Sequence, residues 1–191
     1  MMHLFKVMSR ISRFQKIYLS ISILAVLAML FGCDNSDEPT NNSSSTVDPL
    51  VVCDLVTQAE VEEIIGGTID EPQKTHNVYD SVNSWMSMCN YYCADKQIST
   101  GISLQPHGRS VSGKAAFELY AAELQEQLGD SYVMQEVTGI GDYAGWEETS
   151  KQLTIFSGSY MIIVTTISPN LEGNAALEFN KTMARKLLEK L

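Results

Sequence analysis

The chain predicts an α+β fold, an antiparallel sheet packed against about three helices in a single domain. Three observations predict it. Three segments carry apolar residues at helical spacing between capping and stop signals. Several shorter runs alternate, or are continuously apolar, as strands do. Two of those runs are joined by a short Ser-Gly-Ser link, and their order is helix, strands, helix, strands, helix. That order suits hairpins with helices laid on one face of the sheet, not parallel βαβ units.

The first helix lies in "CDLVTQAEVEEIIGG" (53–67). Thr57 and Glu60 form a capping box, in which the hydroxyl accepts from the amide three residues on and the carboxylate reaches back. Val61, Ile64 and Ile65 give its apolar face, and Gly66-Gly67 its stop. A second helix runs from about Ser112 to Leu128, with Ala116, Leu119, Tyr120, Leu124 and Leu128 expected inward and Gly129 as terminator. The third, "NAALEFNKTMARKLLEKL", takes Asn174 as N-cap. Leu177, Met183, Ala184, Leu187, Leu188 and Leu191 line one side, and Arg185, Lys186 and Lys190 suit the C-terminal dipole.

Strands are expected at "WMSMCNYY" (85–92), "QISTGISL" (97–104), "SYVMQEV" (131–137), "QLTIF" (152–156) and "YMIIVTTI" (160–167). The last is apolar enough to be the central strand, and Ser157-Gly158-Ser159 makes it a hairpin with its predecessor. A strand around Thr68–Asp70 is the faintest of the set.

Charge is unevenly placed. Four of the 13 basic residues precede residue 20 and all 23 acidic ones follow Cys33, so from Cys33 onward 9 basic groups face 23 acidic ones, a net −14. A body this acidic repels nucleic acid and anionic headgroups, because binding to either rests on Lys and Arg neutralising phosphate.

The N-terminus has the order of a secretory signal: basic "FKVMSRISRFQK", then the apolar run Ile17–Gly32. As a helix that run spans about 24 Å, short of a ~30 Å hydrocarbon core. It ends in Leu30-Phe31-Gly32-Cys33, which resembles the lipobox of bacterial lipoproteins. The resemblance implies cleavage between Gly32 and Cys33 and a diacylglycerol on the Cys33 thiol. Phe31 departs from the usual small or aliphatic residue. Acyl chains at about 0.8 kcal/mol per buried CH₂ anchor firmly when there are two or three. Asp34 resembles the signal that retains enterobacterial lipoproteins in the inner membrane. The expected address is therefore the cell envelope, with the periplasmic face of the inner membrane favoured over the outer membrane.

The expected layout is a signal peptide over 1–32, the lipidated cysteine and a flexible tether over 33–49, and a globular envelope domain over 50–191. "DNSDEPTNNSSSTVDP" has almost no hydrophobe, so it cannot offset its ordering entropy. As a coil it spans on the order of 20 Å. The 142-residue body is long enough to bury one core.

With Cys33 lipidated, Cys53, Cys89 and Cys93 remain, and an exported protein can keep a disulfide. Three pairings are open: Cys53–Cys89, Cys53–Cys93 and Cys89–Cys93. The first is favoured, closing a long loop with a gain of about 3–4 kcal/mol in the chain-entropy picture. Cys89, Cys93 and His76 lack the second ligand pair of a metal site, and no metal or cofactor is expected.

"CDLVTQAEVEEIIGG", "CNY", "VTGIGDYAGW", the hydrophobic strand pair and the last amphipathic helix together resemble a family of small actinobacterial lipoproteins. The same layout is similar to the extracytoplasmic sensor domain of some mycobacterial Ser/Thr kinases. The resemblance covers most of 53–191. It implies a Cys53–Cys89 bridge and an envelope binding or sensing role without catalytic residues. Cys93 lies outside the pattern.

No nucleophile elbow, Walker loop or H-E-x-x-H helix occurs. Gly139-Ile140-Gly141-Asp142 lacks a third glycine and a basic partner, so it reads as a tight turn, not a phosphate loop. Carboxylates abound at Glu60, Glu62, Glu63, Glu123, Glu126, Glu147 and Glu148. An envelope hydrolase with paired carboxylates is the alternative function. In "GDYAGWEE", Tyr143 and Trp146 sit in an expected turn, as exposed interface anchors or as plugs for the end of the sheet. The function expected is a lipid-anchored, non-catalytic module for an envelope protein or small ligand.

Overall fold

The computed structural model describes residues 48–79, 84–107, 111–129 and 132–191. Gly32, Cys33, Asp34, the leader and the tether up to residue 47 lie outside them. Four helices are described: α1 (Val52–Leu55), α2 (Gln58–Ile65), α3 (Gly113–Leu128) and α4 (Gly173–Leu188). Seven strands form one antiparallel sheet: β1 (Gln73–Tyr79), β2 (Ser84–Cys93), β3 (Ile98–Pro106), β4 (Gln135–Val137), β5 (Tyr143–Glu147), β6 (Gln152–Ser157) and β7 (Tyr160–Ile167). Their spatial order is β1-β2-β3-β7-β6-β5-β4, an α+β architecture with β7 at the centre, as its apolar run predicts.

Register divides the side chains between two faces, since successive residues of a strand point oppositely. One face holds Trp85, Ser87, Cys89, Tyr91 and Cys93 of β2, with Ile102 and Leu104 of β3 opposite Cys89 and Ser87. It continues through Ile162 and Val164 of β7, Leu153 and Ile155 of β6, and Ala144 and Trp146 of β5. α1, α2 and α4 pack on it through Val52, Val56, Val61, Ala176, Met183, Ala184 and Leu187, and this layer is the main core.

α3 lies on the other face, over β5 and β6, where Phe117 meets Phe156 and Met161. The expectation of helices on one face is therefore corrected. The aromatic Phe156, alternating with Ile155, gives β6 an apolar residue on each side and so demands cover on both. Leu119 and Leu128, expected inward, are 66% and 58% exposed. Phe117, Ala116, Tyr120 and Ala121 make the contact instead, because the one large ring that fits over Gly145 sets the helix's rotation.

Local chemistry explains the other boundaries. The Thr57–Glu60 capping box forms, with Thr57 N–H donating to Glu60 Oε2 at 2.9 Å, and Gly66 ends α2 in the left-handed region at φ 68°. α4 starts earlier than the Asn174 cap predicts. Glu172 is its N-cap, its carbonyl accepting from Ala175 N–H at 3.1 Å, and Asn174 is exposed within the first turn. Thr68–Asp70 is not a strand; Ile69 is buried and its N–H donates to Glu62 Oε1 at 3.1 Å. β1 has no counterpart among the expected strands.

A buried polar chain sets α4 on the sheet. Thr166 donates its single hydroxyl hydrogen to Asn180 Oδ1, so the 2.9 Å contact between Thr100 and Thr166 has Thr100 as donor. Asn180 Nδ2 gives its hydrogens to the carbonyls of Lys151 and Val164. Both N–H donors and the carbonyl oxygen of this fully buried amide are then engaged, as burial in a low-dielectric core requires.

Candidate ligand-binding face

Cys53 and Cys89 are joined in a disulfide that ties α1 to β2, and Cys93 is free and buried. Two further bonds hold the same helix: Val52 N–H to Ser87 Oγ at 3.0 Å, and Tyr91 OH to the Val56 carbonyl at 2.7 Å. Burial and then the charge of Glu60 push the Tyr91 phenol above its ordinary range. With Cys89 committed to the bridge, the set Cys89, Cys93 and His76 offers no thiolate pair. A disulfide fits an oxidising, extracytoplasmic setting.

Tyr143 and Trp146 are not in a turn but on β5, on opposite faces of the sheet. The turn occupies Thr138–Asp142, where Gly139 and Gly141 take φ of 78° and 61° and Asp142 Oδ2 accepts from Gly158 N–H at 2.7 Å. Trp146 is 2% exposed within the main core, and its indole N–H donates to Glu148 Oε2 at 2.7 Å. It is therefore no surface anchor. Tyr143 is half-buried against Phe117, with ring centroids 4.8 Å apart, and donates to Glu136 Oε2 at 2.7 Å. Apolar turn-flanking sequence places the tryptophan inside because position 146 falls on the face that α4 covers.

A concavity of about 380 Å³ lies between α3 and the β5–β6 connection, lined by Tyr120, Leu124, Leu128, Tyr132, Glu147 and Gln152, among others. Its one carboxylate is fully engaged. Glu147 accepts from Thr149 N–H at 2.9 Å, Ser150 N–H at 2.7 Å and Ser150 Oγ at 2.6 Å. Burial raises its pKa, and the bonds from Ser150 and Thr149 more than reverse this, leaving it lowered. It serves the turn. Burial, then Tyr120 and Glu147, push the nearby Tyr132 phenol up to about 12.

The surface with unspent capacity is the other half of α3's face. α3 covers β5 and β6, and among the described residues no helix covers the same side of β1, β2, β3 and the end of β7. A groove of about 330 Å³ runs there, lined by Met88, Asn90, Ser99, Ser103, Ile163 and Thr165, with Gly101 as floor. Gly101 has no side chain because Asn90 lies over it: a Cβ there would stand 2.5 Å from Asn90 Oδ1. Tyr79 and Tyr92 share this face and are 46% and 48% exposed.

The face is uncharged. Register places Gln73, Thr75, Asn77 and Tyr79 of β1 here, with Ser84, Met86, Met88, Asn90 and Tyr92 of β2. Ser99, Gly101, Ser103 and Gln105 of β3 and Met161, Ile163, Thr165 and Ile167 of β7 complete it. None is Asp, Glu, Lys or Arg, in a chain whose net charge from Cys33 onward is −14. The side chains of Asn90, Ser99, Ser103 and Thr165 have no hydrogen-bond partner among the described residues. Sequence reading passed over this face because "WMSMCNYY" is apolar on both sides. The signal lies in β2, β3 and β7, which carry no Asp, Glu, Lys or Arg at any position.

No protein-family model matches the chain, and it has no match among curated proteins or solved structures.

Proposed function

We propose that the chain is a lipid-anchored envelope lipoprotein whose folded body is a non-catalytic binding or sensing module at the membrane face. One observation supports the binding half: a half-sheet that, among the described residues, is uncharged, uncovered by a helix and lined by polar groups without a hydrogen-bond partner. A concave, uncharged surface with unspent hydrogen-bonding groups is the kind of surface that takes up a ligand. The anchor rests on the basic leader, the apolar run and Cys33, and the Cys53–Cys89 bridge supports an oxidising compartment. Held by acyl chains on Cys33, with Asp34 retaining it at the inner membrane, the body stands off the bilayer on its polar tether and faces the periplasm.

The anchor is tested by [³H]palmitate labelling: wild type incorporates label and Cys33→Ser does not. Equal labelling refutes it. The binding face is tested with a photo-crosslinking amino acid placed in cells at Ser103 or Gln105, against Glu123 on the outer side of α3. Adducts at the first two positions and none at the third support the reading. Identical patterns at all three defeat it.

A further inference from the structure

We propose that the open half-sheet binds an uncharged oligosaccharide, an inference that rests on the binding role proposed above and gives its ligand a chemical class. Charge makes the first selection. A phosphate, carboxylate or acidic glycan needs a cation in the groove, and a basic peptide needs carboxylates; among the described residues the face offers neither. The surrounding body, at net −14, adds repulsion against any anion.

Hydrogen bonding makes the second. An acyl chain or an apolar helix laid in the groove would strip water from Asn90, Ser99, Ser103 and Thr165 and return no bond, at about 1–3 kcal/mol for each group left unsatisfied. A ligand dense in neutral hydroxyls answers all four. Asn90 supplies both a carbonyl and an NH₂, and each hydroxyl supplies one donor and two acceptor positions. Sugar hydroxyls also both donate and accept, so the two inventories match without ionisation on either side.

Shape makes the third. Tyr92 at one end of β2 and Tyr79, opposite Ser84 at the other, are separated by eight residues of strand, about 26 Å. Met88 lies midway between them, on the groove wall. A pyranose ring has an apolar C–H face that lies flat on an aromatic ring, while its rim of hydroxyls points sideways. Two exposed rings at the ends, with amides and hydroxyls between, fit a chain of several sugars lying along the strands. The absence of a side chain at Gly101 lets the Asn90 amide lie flat over the strand, in the middle of the groove.

The full-length protein, held in a non-glycosidic detergent, is applied to an array of neutral and anionic oligosaccharides. Hits are measured by titration calorimetry. The expected result is saturable binding to a neutral oligosaccharide of several units, weakened roughly tenfold by Tyr92→Ala, the loss of one ring contact. Asn90→Ala weakens it as well, whereas Leu119→Ala, on the exposed side of α3, leaves it unchanged. Near-ultraviolet circular dichroism confirms that each variant is folded. Preference for anionic glycans, binding that survives both groove variants, or no binding across the neutral set overturns the proposal. So does occupation of the groove by a fluorescent acyl chain, or by a second copy in sedimentation. If the sugars fail while Ser103 and Gln105 still crosslink selectively in cells, the ligand class is wrong and the binding face stands. If both fail, both readings fall together.

Discussion

Asn180 on α4 accepts the hydroxyl hydrogen of Thr166 on β7, and through it helix and central strand share one fully buried hydrogen-bonded chain. Asn180→Leu keeps the volume close but leaves the Lys151 and Val164 carbonyls without those donors. Urea unfolding is expected to show a loss of about 2–4 kcal/mol. A change below the error of the midpoint would mean that the chain does not hold the helix.

Gly145 lies beneath Phe117, and a Cβ there would stand 2.3 Å from Phe117 Cε2 and 2.5 Å from Met134 Cγ. Gly145→Ala is expected to cost about 1–3 kcal/mol by overpacking. Adding Phe117→Leu should recover part of that cost, a positive coupling read in a double-mutant cycle of thermal melts. Strict additivity would separate the two residues.

The Cys53–Cys89 bridge spans 36 residues. Replacing both cysteines by alanine is expected to lower stability by about 3–4 kcal/mol. Free Cys93, buried in β2, does not substitute for either. Trypsin leaves Cys89 and Cys93 in one peptide, so the check is mass spectrometry of a non-reduced chymotryptic digest, which cuts after Tyr91 or Tyr92. It should link the Cys53 peptide to the Cys89 fragment, and a link to the Cys93 fragment would contradict the fold around α1.

Glu60 joins the two ends of the folded body, accepting from Lys190 Nζ at 2.7 Å while capping α2. The hydrogen bond from Lys190, and next that from the Thr57 amide, hold its carboxyl down at about 2. A pKa depressed in the folded state stabilises above the ordinary carboxylate value and is lost as pH falls from about 5 through about 2. Carboxyl-carbon NMR should place the Glu60 midpoint near the lower end of that window, and Lys190→Met should move it upward. An unshifted midpoint in both proteins would remove the contact from solution.

Elements with their own chemistry were readable from residues alone. Thr57 and Glu60 cap a helix wherever they occur at that spacing, and the apolar run 160–167 demands a central position. β1 was not readable: Gln73–Tyr79 is polar on both faces, so only pairing with β2 makes it a strand. Leu119 and Phe117 compete for the inner side of α3 with equal hydrophobicity. Gly145 decides between them, and it is far away in the chain. The open face was hidden for a related reason. Period-2 apolar patterning says that a strand has two sides, not which side a helix will leave bare.

Of the six strand pairings, five join neighbours in sequence, and only β3 with β7 does not. The sheet is thus two meanders, β1–β2–β3 and β4–β5–β6–β7, sewn along a single seam of eight residue pairs. Each meander is built from local contacts, whereas the seam carries the loop-closure cost of the intervening chain. The disulfide loop ends at Cys89, before β3 begins, so oxidation strengthens the first meander without shortening the path to the seam. The uncharged groove straddles that seam, so it exists only once the two halves have met.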